Sequence, residues 1–307
     1  MIGKVFSYFP GVERLTRTVL YRHPGIKQKI KSKLGHGKVN EKAEYNEAGW
    51  QDYQDHVRHA VKDHPIVLVH SSMDGLNPIG VTVEQMLDFL LSLTADGHTV
   101  VIPAYAISSQ KVTDGRLKKY DPQKSPCWTG MLPNYFIRTP GVIRTVYPYN
   151  SLAAIGPEAS AMMADNDQQV YVYGDHSAWK YCVDQHAAVL FIGTTADEAN
   201  TIQSHMIPDV MGERWPIRDW YQEVVCPVKT DIGIVEKTIL IQKDEWVQYV
   251  ADYHMTRKLK KEGILKEELI SGCPFGCVDD ANAMVDCLVK LAEQGDLSFR
   301  VPGKYRK

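Results

Sequence analysis

The sequence predicts an α/β protein, and three neighbouring stretches predict it. Ile66-Val67-Leu68-Val69 is a short apolar, largely β-branched run after Pro65, suited to a strand buried on both faces. Apolar residues then recur at helical spacing through Val83, Met86, Leu87, Leu90 and Leu91, behind Thr82 and Gln85, which are placed as a capping box. Gly97 ends that helix, and Thr99-Val100-Val101-Ile102 before Pro103 supplies a second strand. Together they form a β-α-β unit, with parallel strands and a right-handed crossover.

Ahead of this unit, residues 1–38 carry nine basic side chains (Lys4, Arg14, Arg17, Arg22, Lys27, Lys29, Lys31, Lys33, Lys38) and one acid, Glu13. Residues 39–65 reverse the sign with six acids and three bases. Val5, Phe6, Tyr8, Phe9, Leu15, Val19, Leu20 and Tyr21 are interleaved with the basic residues, while Pro10 and Pro24 interrupt any long helix. Such an arm either folds back on its own or a neighbouring subunit, or makes peripheral contact with an anionic membrane through residues 1–38. Behind the unit, Val189-Leu190-Phe191-Ile192, closed by Gly193, and Thr238-Ile239-Leu240-Ile241 are expected to extend the sheet. One helix is expected from about Asp244, with Trp246, Tyr249, Val250 and Tyr253 on a face. Another is expected through Ala281, Met284, Val285, Leu288 and Val289. Nothing between 66 and 300 reads as a linker, so the organisation predicted is an N-terminal arm, 1–45, and a single α/β domain, 46–307.

Composition narrows the function classes. With 35 Lys+Arg against 37 Asp+Glu in 307 residues, the net charge of −2 argues against a protein whose task is gripping nucleic-acid phosphates. No apolar run is long enough for a membrane span and no secretory signal is evident, so a cytoplasmic location, at most at the inner membrane surface, is expected. The six cysteines read as free thiols. Cys273, Cys277 and Cys287 lack a fourth ligand at zinc spacing, so no metal is expected.

Two places carry residues suited to chemistry. His70-Ser71-Ser72 stands at the carboxyl end of the first strand, where open α/β sheets place their ligand crevice. Its hydroxyls and backbone N–H groups suit a phosphate, an amide or a developing oxyanion, although Ser also caps strands for structural reasons alone. The second place follows Gly193: His205, with Asp209 four residues on, would share one helical face. An imidazole near neutrality is suited to taking a proton and an acid to fixing its tautomer, but Pro208 disturbs the helix, leaving Asp219 or Glu223 as other orienting acids. The sequence contains no G-x-S-x-G, no G-x-x-x-x-G-K-[ST], no G-x-G-x-x-G after a strand and no H-E-x-x-H.

The order of several separated motifs resembles the aminoglycoside 3-N-acetyltransferase family from about 66 to 300. These are Val67-Leu68-Val69-His70-Ser71-Ser72; Val100-Val101-Ile102-Pro103-Ala104-Tyr105; Tyr120-Asp121-Pro122 with Pro126, Gly130 and Leu132; and Pro140-Gly141-Val142-Ile143-Arg144-Thr145 leading to Pro148, Ser151 and Ala154-Ile155-Gly156. The family's Asn-Thr-x-x-His-x-x-Glu is matched by Asn200, Thr201 and His205 with one extra residue before the His, and with Asp209 four places after it. The resemblance implies a three-layer α/β/α sandwich around a largely parallel sheet, distinct from the GCN5-type fold. It also implies acetyl transfer from acetyl-CoA, as co-substrate, to an amine of an amino sugar.

In that scheme His205 is the general base with Asp209 beside it; His70, Ser71, Ser72 and Thr201 hold the cofactor; and Ser151 and Asp121 meet the acceptor. Asp74, Asp114, Asp197 and Glu198 are further carboxylates available to a polycationic substrate. The basic arm favours a nucleotide- or lipid-linked sugar of surface-polysaccharide assembly as acceptor. The alternatives are an aminoglycoside, hence antibiotic resistance, or a catalytically silent sugar-binding or assembly subunit. A homo-oligomer is compatible with all three.

Overall fold

A computed structural model describes residues 2–23, 25, 43–108, 112, 115–199 and 203–307. The chain opens with helices α1 (Ile2–Tyr8) and α2 (Pro10–Arg22), followed by α3 (Glu47–Val61), capped by the Asn46 side chain accepting from Gly49 N–H. The predicted β-α-β unit is β1 (Ile66–Ser71), α4 (Val83–Ala95) and β2 (Thr99–Pro103). Thr82 and Gln85 form the capping box in both directions, at 3.2 and 2.8 Å. Gly97 adopts φ +96°, the left-handed turn that releases the chain from α4 into β2.

Beyond it come α5 (Met131–Phe136), β3 (Ile143–Arg144), β4 (Leu152–Ile155), α6 (Ala159–Met163), α7 (Ala178–Asp184) and β5 (Ala188–Ile192). Then follow α8 (Gln203–Met211), β6 (Tyr221–Thr230), β7 (Gly233–Gln242) and α9 (Asp252–Lys261). The chain finishes through β8 (Leu265–Ile270), β9 (Cys273–Val278) and α10 (Ala281–Glu293).

Seven strands form one sheet in the order β3-β4-β2-β1-β5-β9-β8. It is mixed: β1 pairs in parallel with β2 and β5, and the outer pairings are antiparallel. The parallel centre is therefore three strands wide. Alternate residues of β1 enter different cores, because successive side chains leave opposite faces of a strand. Ile66 and Leu68 pack with Trp179, Met206 and Met284, whereas Val67 and Val69 pack with Tyr53, Met86 and Leu132. Helical residues thus enter both cores. Among the described residues no helix is long and apolar enough to cross a membrane.

Two expectations are corrected. Thr238-Ile239-Leu240-Ile241 does not extend the sheet; it lies in β7, which pairs with β6 as a separate antiparallel ribbon from Tyr221↔Gln242 to Thr230↔Gly233. Ile239 and Ile241 are buried against the body, so an apolar run of this kind arises from docking the ribbon as readily as from the sheet interior. The helix expected from Asp244 is a 3-10 stretch, Asp244–Tyr249, before α9 begins at Asp252. Cys273 and Cys277 sit four residues apart along β9, roughly 13 Å of extended chain, too far to ligate one ion together. The arm packs on its own chain: Arg257 Nε donates to the Ser7 carbonyl at 2.9 Å, and Phe6 meets Tyr253 edge to face. Lys27 to Lys38, Asp114, Asn200 and Thr201 lie outside the described residues.

Candidate active site

The parallel strands β1, β2 and β5 all end on one side of the sheet, and a cavity of about 1050 Å³ opens there. This is the crevice that open α/β sheets offer at the carboxyl ends of their strands. Two glycines let the loops close over it. A Cβ on Gly75 would lie 1.7 Å from the Gly193 carbonyl oxygen, and Gly193 itself turns at φ +65°. The Tyr53 hydroxyl clamps the same corner, accepting from Gly193 N–H at 3.0 Å and donating to the Pro274 carbonyl at 2.6 Å.

His70, Ser71 and Ser72 line this cavity, as do His205 and Asp209 from α8. The two stretches singled out in the sequence therefore meet. His70 stacks on Phe191 with ring centroids 5.3 Å apart, and its buried Nε2 has no hydrogen-bond partner among the described residues. Burial lowers its pKa to about 4, so the ring is neutral at neutral pH. The Ser72 N–H is occupied by the Ile192 carbonyl at 2.9 Å, so that residue offers the cavity its hydroxyl and not its backbone donor.

The helix α8 runs through Pro208 to Met211, burying Met206 and Ile207 while His205 and Asp209 face the cavity. The two do not pair. Asp209 accepts from the Tyr221 hydroxyl at 2.5 Å and from the Tyr173 N–H at 2.8 Å. Burial pushes the Asp209 carboxyl up to about 6, and these two donors only partly oppose the shift. The hydrogen-bond partner of His205 is Gln242, whose Oε1 is 3.4 Å from Nδ1, and the imidazole is braced edge to face on Phe299 at 5.4 Å. In the tautomer that donates Nδ1–H to the Gln242 carbonyl, Nε2 keeps its lone pair. Gln242 and Tyr221 are directly opposed partners at the foot of the ribbon, and both line the cavity.

The remaining expected contacts lie elsewhere. Ser151 is buried, its hydroxyl donating to the Ala104 carbonyl at 2.6 Å, and it does not border the cavity. Asp121 caps its own turn through Gln123 N–H and pairs with Lys229 at 3.2 Å, also away from the cavity. The distinctive Pro140–Gly156 block gives the cavity Tyr149 and Asn150 and otherwise acts as a buttress. Its buried Arg144 donates to the carbonyls of Ser125 and Ala104 and lies over the Tyr120 ring, tying together the loops after β2.

Of the proposed carboxylates that are described, Glu198 alone borders the cavity; Asp244 and Asp252 join it from a segment that no motif in the sequence marks out. Arg17 reaches the wall from α2, held by Glu13 at 2.9 Å and by Asp252 at 3.5 Å. Tyr105, with a buried hydroxyl lacking a described partner, and Trp128, 5.9 Å from it, form an aromatic wall opposite. Tyr105 occupies the end of a recognised strand motif, so its position, though not its role, was visible in the sequence.

Residues 68–293 match the family described as aminoglycoside 3-N-acetyltransferase. Aminoglycoside N(3)-acetyltransferase IX of Micromonospora chalcea is 23% identical over 170 residues, covering 50% of this chain and 60% of that protein. Aminoglycoside N(3)-acetyltransferase III of Salmonella sp. is 21% identical over 231 residues, covering 67% of this chain and 79% of that protein. Among solved structures, AAC-IIIb in a binary complex with CoASH superposes with a TM-score of 0.62 at 21% identity, covering 81% of this chain and 98% of that one, a likeness of fold. The match to the family spans most of the β-α-β core, the α8 site and the ribbon, and the chain belongs to the aminoglycoside 3-N-acetyltransferase family.

Proposed function

We infer that this protein transfers an acetyl group from acetyl-CoA to an amine of an aminoglycoside-type amino sugar, with His205 as general base. The observation that carries the reading is an imidazole in the cavity wall whose Nδ1 lies 3.4 Å from Gln242 Oε1, which supports Nε2 as the proton-accepting atom. An ammonium cannot attack a thioester until it loses a proton. The ammonium first gives one proton to solvent; Nε2 takes a second as the neutral nitrogen attacks the carbonyl carbon, the new C–N bond forms, the C–S bond breaks, and the imidazolium passes its proton to the departing thiolate, leaving a neutral amide and CoASH. Holding both reactants in one cavity makes the step effectively unimolecular. The Ser71 and Ser72 hydroxyls and the neutral His70 ring are the groups assigned to the amides and thioester oxygen of acetyl-CoA. Asp209 holds the α8 face in place through Tyr221 and Tyr173 and is assigned that positioning role.

The acceptor preference read from the basic arm is revised. The relatives that match are named for aminoglycosides, and Glu198, Asp244 and Asp252 outnumber Arg17, which lines the same wall and pairs with Asp252, so the lining is net acidic and supports a polycation over nucleotide- or lipid-linked sugars. Thiol release from acetyl-CoA, followed with aminoglycosides, nucleotide amino sugars and free amino sugars, tests the assignment. Turnover with aminoglycosides is expected, and His205→Ala should lower it by about 10²–10⁴-fold while leaving CoA binding intact. Sugar binding without thiol release would indicate a silent subunit; undiminished turnover in the His205 variant would remove the base.

A further inference from the structure

We propose that Arg17, from outside the matched 68–293 segment, sets acceptor specificity by occupying a carboxylate of the cavity wall that an acceptor ammonium would otherwise take. The carboxylate is Asp252. It stands in the first turn of α9, where the helix dipole favours an anion, and it lines the cavity although its side chain is only 3% exposed. The Arg17 guanidinium stands against it, with Nη2 3.5 Å from Oδ2. Arg17 is placed there by its own helix. Glu13, Arg17 and Tyr21 follow one another at i, i+4 and i+8 along one side of α2. Glu13, fully buried, accepts from Arg17 Nε at 3.0 Å and from Nη2 at 2.9 Å, which anchors the guanidinium from behind. Tyr21, one turn further on, donates to Asp244, a second carboxylate of the same wall. Two cavity carboxylates are therefore engaged by α2.

Among the described residues Arg17 is the one lysine or arginine that lines the cavity. A guanidinium and an ammonium seek the same partner, a carboxylate, and repel each other when brought to it together. An acceptor with a single amine delivers it to His205 and does not meet this competition, whereas an acceptor with several has to share Asp252 with Arg17. Arg17 thereby lowers the affinity of the cavity for highly charged acceptors relative to sparsely charged ones. This role rests on the acetyl-transfer reading for the class of acceptor alone.

Calorimetric binding of neomycin, a hexa-amine, to the full chain without acetyl-CoA is the test, accompanied by KM for neomycin and for glucosamine, a mono-amine, from thiol release. Arg17→Gln is expected to tighten neomycin by about tenfold, the worth of one charge-assisted hydrogen bond, and to raise the ratio of the glucosamine KM to the neomycin KM by the same factor. Arg17→Lys, which keeps the charge, should stay near the parent. Arg22→Gln removes the same charge at an exposed position of α2 that does not line the cavity, and should not tighten binding. Adding Asp252→Asn to Arg17→Gln should remove the gain, which ties it to that carboxylate even where the arm loosens. Unchanged or weakened neomycin binding in Arg17→Gln overturns the proposal, the latter by making Arg17 a residue that holds Asp252 ready for the acceptor. So does a gain that Arg22→Gln matches or that Asp252→Asn leaves in place, and so does neomycin binding to neither parent nor variant. Absence of thiol release with every amino sugar would sink acetyl transfer, while the calorimetry still decides the role of Arg17.

Discussion

Gln242 stands beside His205 where the sequence led us to expect a carboxylate, and the difference has a kinetic signature. A neutral amide orients the imidazole without stabilising its charged form. Gln242→Glu would place an anion there, favour the protonated ring, and move the rising limb of the kcat/KM profile to higher pH. Gln242→Ala should keep that limb in place and lower kcat about tenfold, equivalent to ~1.4 kcal/mol of barrier. A pH–rate series on both variants separates orientation from packing, since a structural role would leave the limb unmoved in the Glu variant as well.

His205 could be found in the sequence because its motif is local. Gln242 could not, being 37 residues away on a ribbon whose docking alone brings it into reach. Asp209 shows the opposite failure: its spacing from His205 was read correctly, but nothing in that spacing reveals that Tyr221 and Tyr173 claim its oxygens.

At the level of elements, β1-α4-β2 was legible because everything that defines it lies within forty residues: buried apolar runs, a capping box and a terminating glycine. The 238–241 run was misassigned because its composition is that of a buried strand, while its partner, 221–230, alternates weakly and pairs with nothing else in the sheet. The close contact between the loops after β1 and β5 is equally invisible in sequence, although it sets the corner of the cavity. Gly75→Ala tests it. The added Cβ would meet the Gly193 backbone at 1.7 Å, a neighbour unable to rotate aside, so a loss of about 1–3 kcal/mol or more is expected. A lowered thermal midpoint with impaired CoA binding is the outcome to look for, and an unchanged midpoint would show that the loops part at little cost.

Across the whole molecule, the arm docks on the domain with a carboxyl buried on its inner side, Glu13, paired to Arg17 of the same helix, which makes its attachment depend on pH. Burial raises Glu13 from 4.5 to about 7, outweighing the adjacent Arg17 guanidinium, with Asp252 and Asp197 adding to the rise. A carboxyl raised on docking binds protons more tightly when docked. Its contribution is therefore fully present below about 4.5 and is lost as pH rises toward 7, beyond which it is flat. Hydrogen exchange in α1 and α2 should accelerate across that window, and Glu13→Gln should remove the dependence; exchange indifferent to pH after correction for intrinsic rates would refute the attachment. Because Arg17 also borders the cavity, loosening the arm alters the cavity wall.

One rung of the β6–β7 ribbon has a wider mechanical meaning. Tyr221 and Gln242 are opposed on that rung, one gripping Asp209 and the other His205, so these two cavity-facing side chains of α8 hang from a single crossbar. Any rocking of the hairpin about its root displaces the imidazole and the neighbouring carboxyl together, as a lever would, instead of perturbing one and sparing the other.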